Sequence, residues 1–84
     1  MTAIFTAEHV ADVFRELLDH DDVREDDDWF EIGGTSLTGL TLVARLNKAA
    51  GVTLRLRDVV RAPTPEALAG VIEERSAELP GAPK

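Results

Sequence analysis

The sequence predicts an all-α fold: a small four-helix bundle with three longer helices and one short third helix. Three observations predict it. Apolar residues recur at helical spacing in separate stretches, each bounded by residues that start or stop helices. The one stretch that alternates apolar and polar, Val52-Thr53-Leu54-Arg55-Leu56, has no convincing second strand to pair with. A length of 84 residues leaves room for one domain with a modest core.

In the first helix Val10, Val13, Phe14, Leu17 and Leu18 share one face. Thr6 suits the N-cap, Glu8 lies in the first turn, and the helix is expected over residues 7–19. A long connection follows, over about residues 20–35. Its acids need no anchoring, but Trp29, Phe30 and Ile32 do, so the two aromatics are expected to pin the loop to the helices as core anchors. The second helix is expected over residues 36–50. Leu42, Val43, Leu46 and Ala50 form its stripe, with Gly39 on the same stripe and Leu37 and Leu40 beside it. Thr38, Thr41, Arg45 and Lys48 point outward, and Gly51 suits the C-cap. Gly39 costs helix stability unless close packing requires it.

Residues 52–56 read as an extended connector that buries Val52, Leu54 and Leu56. A short third helix is expected over residues 57–62, ended by Pro63, with one of Val59 and Val60 facing the core and the other exposed. The last helix has Thr64 as N-cap, Pro65 at its first position and Glu66 in its first turn. Leu68, Val71 and Ile72 form its stripe, and it fades near Ala77. The domain is thus expected over residues 1–79, with residues 80–84 as a flexible tail.

The net charge of −7 argues against a nucleic-acid binder. The absence of cysteine excludes disulfides and cysteine metal sites and fits a reducing compartment. No signal pattern opens the chain and no apolar run approaches about 18 residues, so the expectation is a soluble, cytoplasmic monomer with no membrane contact. Charge is unevenly spread: residues 1–34 hold 11 acids and 2 bases, residues 35–62 hold 1 acid and 5 bases. Two readings stand, solvated faces or a basic middle segment that faces partners.

The run Asp28-Trp29-Phe30-Glu31-Ile32-Gly33-Gly34-Thr35-Ser36-Leu37 places a serine after a Gly-Gly turn and before a helix. A hydroxyl there can be reached by another protein, and free N–H groups and the helix dipole favour a phosphate beside it. The plainer reading of Ser36 is a helix N-cap. The run resembles the attachment motif of peptidyl carrier proteins, the thiolation domains of nonribosomal peptide synthetases, whose pattern is D-D-F-F-x-L-G-G-x-S-L. Leu42-Val43-Ala44-Arg45-Leu46, Gly51-Val52, Leu56-Arg57-Asp58, Ala62-Pro63-Thr64 and Ala67-Leu68-Ala69 resemble later parts of the same family.

The resemblance implies the carrier-protein bundle and a non-catalytic role. It implies that a phosphopantetheinyl transferase attaches the 4′-phosphopantetheine of coenzyme A to Ser36, flanked by Gly33, Gly34, Thr35 and Leu37. The thiol would then carry an amino-acyl or peptidyl thioester. Implied partners are an adenylation enzyme, condensation or tailoring enzymes and a thioesterase, in antibiotic or other secondary metabolism. Thr38, Thr41, Arg45, Val59 and Val60 become candidate partner contacts. Two positions depart from the family pattern: Thr35 stands where many members have His or Asp, and Arg55 where proline is common. Acyl carriers usually show Asp before the serine and an acidic second helix. Thr35 with Arg45 and Lys48 favours the peptidyl type over an acyl or aryl carrier.

Rival motifs fail. Gly34-x-Ser36-x-Thr38 lacks the last glycine and the preceding strand of a nucleophile elbow. Gly33-Gly34-Thr35-Ser36 has no P-loop lysine, and the acidic run lacks calcium-loop spacing. No catalytic or metal residues are therefore assigned. An unmodified helical interaction domain or a small serine hydrolase are the readings from other classes. The latter lacks a neighbouring base, since His9 and His20 lie well upstream of Ser36. Met1 fits a free-standing protein, and an excised synthetase domain would read the same.

Overall fold

Helices begin where side chains take up amides that the helix itself leaves unpaired. The computed structural model describes residues 5–78, and they form four helices and no strand: α1 (Ala7–Leu18), α2 (Ser36–Ala50), α3 (Leu56–Arg61) and α4 (Pro65–Glu78). At α1, Thr6 Oγ1 accepts from the His9 N–H at 3.3 Å while His9 Nδ1 accepts from the Thr6 N–H at 3.1 Å, a reciprocal capping box. At α4, Thr64 Oγ1 accepts from the Ala67 N–H.

Three boundaries move by a residue. Asp19 closes α1 in the left-handed conformation (φ 52°) and so caps the helix instead of ending it. The third helix begins at Leu56 and stops at Arg61, because the Asp58 carboxylate accepts the Arg55 N–H at 2.8 Å and fixes Arg55 as the cap. The tail expected over residues 80–84 lies outside the described residues.

The core gathers Val10 and Phe14 of α1, Leu42 and Leu46 of α2, Val59 of α3, and Leu68 and Ile72 of α4 around the buried ring of Trp29. α1 turns Ala11 inward and leaves Val13, Leu17 and Leu18 half-buried. Phe30 is also only half-buried, so Trp29 is the main anchor of the loop.

The extended connector after α2 buries Val52 and Leu54, while Leu56 is half-buried as the first residue of α3. With no neighbouring strand, its backbone is paired by a side chain. Asn47 accepts from the Leu54 N–H at 2.6 Å and donates Nδ2 to the Leu54 carbonyl at 3.2 Å.

Asp58 is buried and charged, so it needs partners. Arg75 of α4 donates to it at 2.8 Å and also to the Thr53 carbonyl at 3.0 Å. Burial opposes ionisation of Asp58. The Arg75 hydrogen bond, the Arg55 N–H and the charges of Arg75 and Arg57 outweigh it and hold the carboxyl below the usual aspartate range. A depressed folded-state pKa contributes stability that is complete above the unfolded aspartate range and lost as pH falls through the folded value. Asp58→Asn is expected to cost about 1–3 kcal/mol at pH 7 and to narrow the stability difference between pH 7 and acid, read by urea unfolding across that range.

Gly70 sits exposed inside α4, with no atom within 4 Å of a built Cβ. Gly70→Ala is expected to stabilise the domain by about 0.5–1 kcal/mol, measured in the same unfolding experiment.

Candidate functional site

The long loop that leads to Ser36 is held at both ends. Near its start, Arg15 of α1 donates to the Val23 carbonyl at 2.7 Å. Further on, the Glu66 N–H at the start of α4 donates to the Glu25 carbonyl at 3.0 Å, and the Trp29 N–H donates to the Pro63 carbonyl at 2.8 Å. Asp28 folds the next turn: its carboxylate accepts from the Phe30 N–H at 2.8 Å and the Glu31 N–H at 3.2 Å.

The two glycines that follow serve different ends. Gly33 has φ +116°, a conformation L side chains rarely adopt, and its Cβ position is open space. Gly34 lies flat on Trp29: a Cβ there would fall 2.3–2.6 Å from three atoms of the indole. The indole is in turn fixed by Phe14, edge-on at 4.9 Å between ring centroids, and by a hydrogen bond from Nε1 to the Thr35 carbonyl at 3.2 Å. Trp29 thus ties the loop, the start of α2 and the approach to α4 together.

Thr35, not Ser36, is the N-cap of α2. Thr35 Oγ1 accepts from the Thr38 N–H at 3.1 Å, and Thr38 Oγ1 accepts from the Thr35 N–H at 2.9 Å. The plain-cap reading of Ser36 is therefore corrected. Ser36 is the first helical residue, it is exposed, and its hydroxyl makes no hydrogen bond with any described residue. The threonine pair satisfies two of the four amides at the helix start and leaves those of Ser36 and Leu37 open. The first turn of α2 holds no acid, so nothing offsets the positive end of its dipole.

The candidate partner contacts separate. Thr41 is exposed on α2. Arg45 is exposed but paired with Glu16 of α1. Thr38 is half-buried and its hydroxyl is used in the cap. Val59 is fully buried, which removes it as a free contact, whereas Val60 is 57% exposed. Both histidines are engaged elsewhere, His9 in the α1 cap and His20 with the Asp22 N–H.

Residues 8–72 match the family model described as phosphopantetheine attachment site. The chain belongs to that family. Over 67 residues it is 40% identical to surfactin synthase subunit 1 of Bacillus subtilis (strain 168), an overlap of 80% of this chain but 2% of that protein. The fold agrees with a chain in the solution structure of a non-covalent extended docking domain complex of the Pax nonribosomal peptide synthetase. The TM-score is 0.83 at 28% identity, covering 90% of this chain and 73% of that one. It also agrees with a chain in the structure of the phosphopantetheine transferase Sfp in complex with coenzyme A and a peptidyl carrier protein. There the TM-score is 0.79 at 25% identity, covering 89% and 95% of the two chains. The family's group is 4′-phosphopantetheine, and the described fold is that of its carrier domains. Among the described residues no helix is long and apolar enough to cross a membrane.

The start of α2 fits a phosphodiester. It offers an exposed hydroxyl outside the cap, two open amides, an unopposed dipole and a bare Gly33 alongside.

Proposed function

We propose that Ser36 is the attachment residue and that the chain is a peptidyl-type carrier, holding an amino-acyl or peptidyl intermediate for partner enzymes. The observation that carries this reading is the division of labour at the helix start: Thr35 caps α2, so Ser36 Oγ is exposed with no structural task. Once attached, the group supplies a terminal thiol for thioester formation. The chain's own part is to present the hydroxyl, to receive the phosphate at the amides of Ser36 and Leu37, and to keep bulk away through Gly33. Among the described residues neither histidine is bonded to Ser36, so in this reading the proton leaves to the transferase and the chain serves as a carrier.

Thr35 before the serine, with Arg45 and Lys48 on α2, supports the peptidyl type over an acyl or aryl carrier. An adenylation enzyme, condensation or tailoring enzymes and a thioesterase complete the partner set. The reading places the domain, residues 1–79, in the cytoplasm, where coenzyme A meets it.

The test is intact mass after incubation with coenzyme A and a broad-specificity phosphopantetheinyl transferase, followed by peptide mapping. One phosphopantetheine on the peptide that contains Ser36 is expected. No gain, beside a control carrier that is modified, would refute the assignment.

A further inference from the structure

Trp29 is fully buried, and it is the one tryptophan in the chain. The attachment pattern of the family carries phenylalanine where this chain has Trp29. A phenyl ring fills similar space but has no N–H, so this chain brings an extra donor into its interior, and a buried donor needs an acceptor. The acceptor is the Thr35 carbonyl, at 3.2 Å. That oxygen is already served by the helix. The Gly39 N–H donates to it at 2.7 Å, and Thr38 Oγ1 donates to it at 3.2 Å from within the cap. With phenylalanine at position 29 the carbonyl would keep both of those partners. The indole bond is therefore not needed to pair the start of α2.

What it adds is a restraint beside the reacting residue. A peptide unit is planar, so the Thr35 carbonyl, the Ser36 N–H and Ser36 Cα move as one body. The same tryptophan grips the residue before that unit: its carbonyl accepts the Gly34 N–H at 2.7 Å, and Gly34 rests on the indole. Trp29 is in turn tied to the Pro63 carbonyl through its own N–H and packed edge-on against Phe14 of α1. One side chain thus ties Ser36 Cα to the rest of the bundle, while the serine itself stays exposed. Donors on a carbonyl also polarise its amide, so the third one on Thr35 strengthens the Ser36 N–H as a donor.

Resting on the attachment reading above, we propose that Trp29 is a positioning residue for the modification of Ser36. Its indole N–H acts through the Thr35–Ser36 peptide, fixing the point from which the hydroxyl swings and sharpening the amide that receives the phosphate. In the transfer, Ser36 Oγ bonds to the pantetheine-side phosphorus of coenzyme A and the P–O bond of the diphosphate breaks. Adenosine 3′,5′-bisphosphate leaves with the bonding pair, and the hydroxyl proton passes to the transferase. Trp29 touches none of these atoms. Alignment tells in the transition state, so its effect falls on the rate of transfer and not on how tightly the carrier binds.

Because the chain has a single tryptophan, replacing tryptophan by β-(3-benzothienyl)alanine during expression exchanges this one N–H for sulfur and keeps the shape of the ring. That form of the full unmodified chain, Trp29→Phe and wild type are compared with a broad-specificity phosphopantetheinyl transferase and coenzyme A. The single-turnover rate constant and the KM for the carrier are measured separately, and circular dichroism checks that each form is folded. Val23→Ala is the control: it opens the buried core of the same loop and leaves the indole N–H in place. Loss of the N–H is expected to lower the rate constant about fivefold at unchanged KM. It should also move the Ser36 amide proton upfield in the NMR spectrum. Val23→Ala should lose stability and keep the rate. If the benzothienyl form does not fold, Trp29→Phe against Val23→Ala decides the matter. An unchanged rate constant in a folded form overturns the proposal. So does an equal loss in Val23→Ala, which would trace the effect to a looser loop. Failure of wild type to be modified, beside a control carrier that is, refutes the attachment reading instead.

Discussion

Ser36→Ala is expected to abolish modification completely and to leave the fold intact. Loss follows because alanine has no oxygen to accept the phosphoryl group. The fold should survive because the side chain removed carries no structural load: Thr35 is the cap, and Ser36 Oγ bonds to no described residue. Alanine is also a good helix former, so the change in stability should lie within about 0.5 kcal/mol. Thr35→Ala should do the reverse. It removes the reciprocal bonds with Thr38 and should cost about 1 kcal/mol, yet it keeps the hydroxyl and so keeps modification. Intact mass and urea unfolding on the two variants separate attachment from capping. If Ser36→Ala were still modified, or if it lost a cap's worth of stability, the roles assigned to the two neighbours would be wrong.

Trp29→Ala is expected to cost about 3–5 kcal/mol, a large share of what a small domain has. The indole is fully buried, packs edge-on against Phe14 and hydrogen-bonds the Thr35 carbonyl. Its removal opens a cavity between the loop and the helices and frees the start of α2 at once. Trp29→Phe should recover part of the loss, since it restores a ring but not the Nε1 donor. Gly34→Ala attacks the same contact from the other side. The new methyl group would meet a rigid ring at under 3 Å, and a cost of about 1–3 kcal/mol is expected. Urea unfolding at pH 7 measures all three. A mild effect of Trp29→Ala would show that the loop is held by its acids and turns instead.

Much of the bundle was legible because its signals are local. Thr6, Thr64 with Pro65, and Gly51 mark helix ends within a turn, and the stripes of α2 and α4 are read from spacing alone. The limits are also physical. Thr35 and Ser36 are adjacent hydroxyl residues, and composition cannot say which one turns its oxygen to the amides. Val59 and Val60 lie in a helix of six residues, too short for periodicity to choose a face. Asn47 clasping Leu54, Trp29 reaching Thr35 and Pro63, and Arg75 meeting Asp58 depend on the fold being in place. No window of sequence contains those pairs with their geometry. The placement of Trp29 as a loop anchor could be read in advance, while its role as a brace under Gly34 could not.

The two backbone bonds from the loop to the start of α4 set an order of events during synthesis. Glu25 and Trp29 wait for Glu66 and Pro63, which leave the ribosome much later in the chain. A nascent chain that ends before α4 has the serine but not the braced turn that displays it. Residues at the start of α4 therefore complete the brace that presents a residue far upstream of them in sequence.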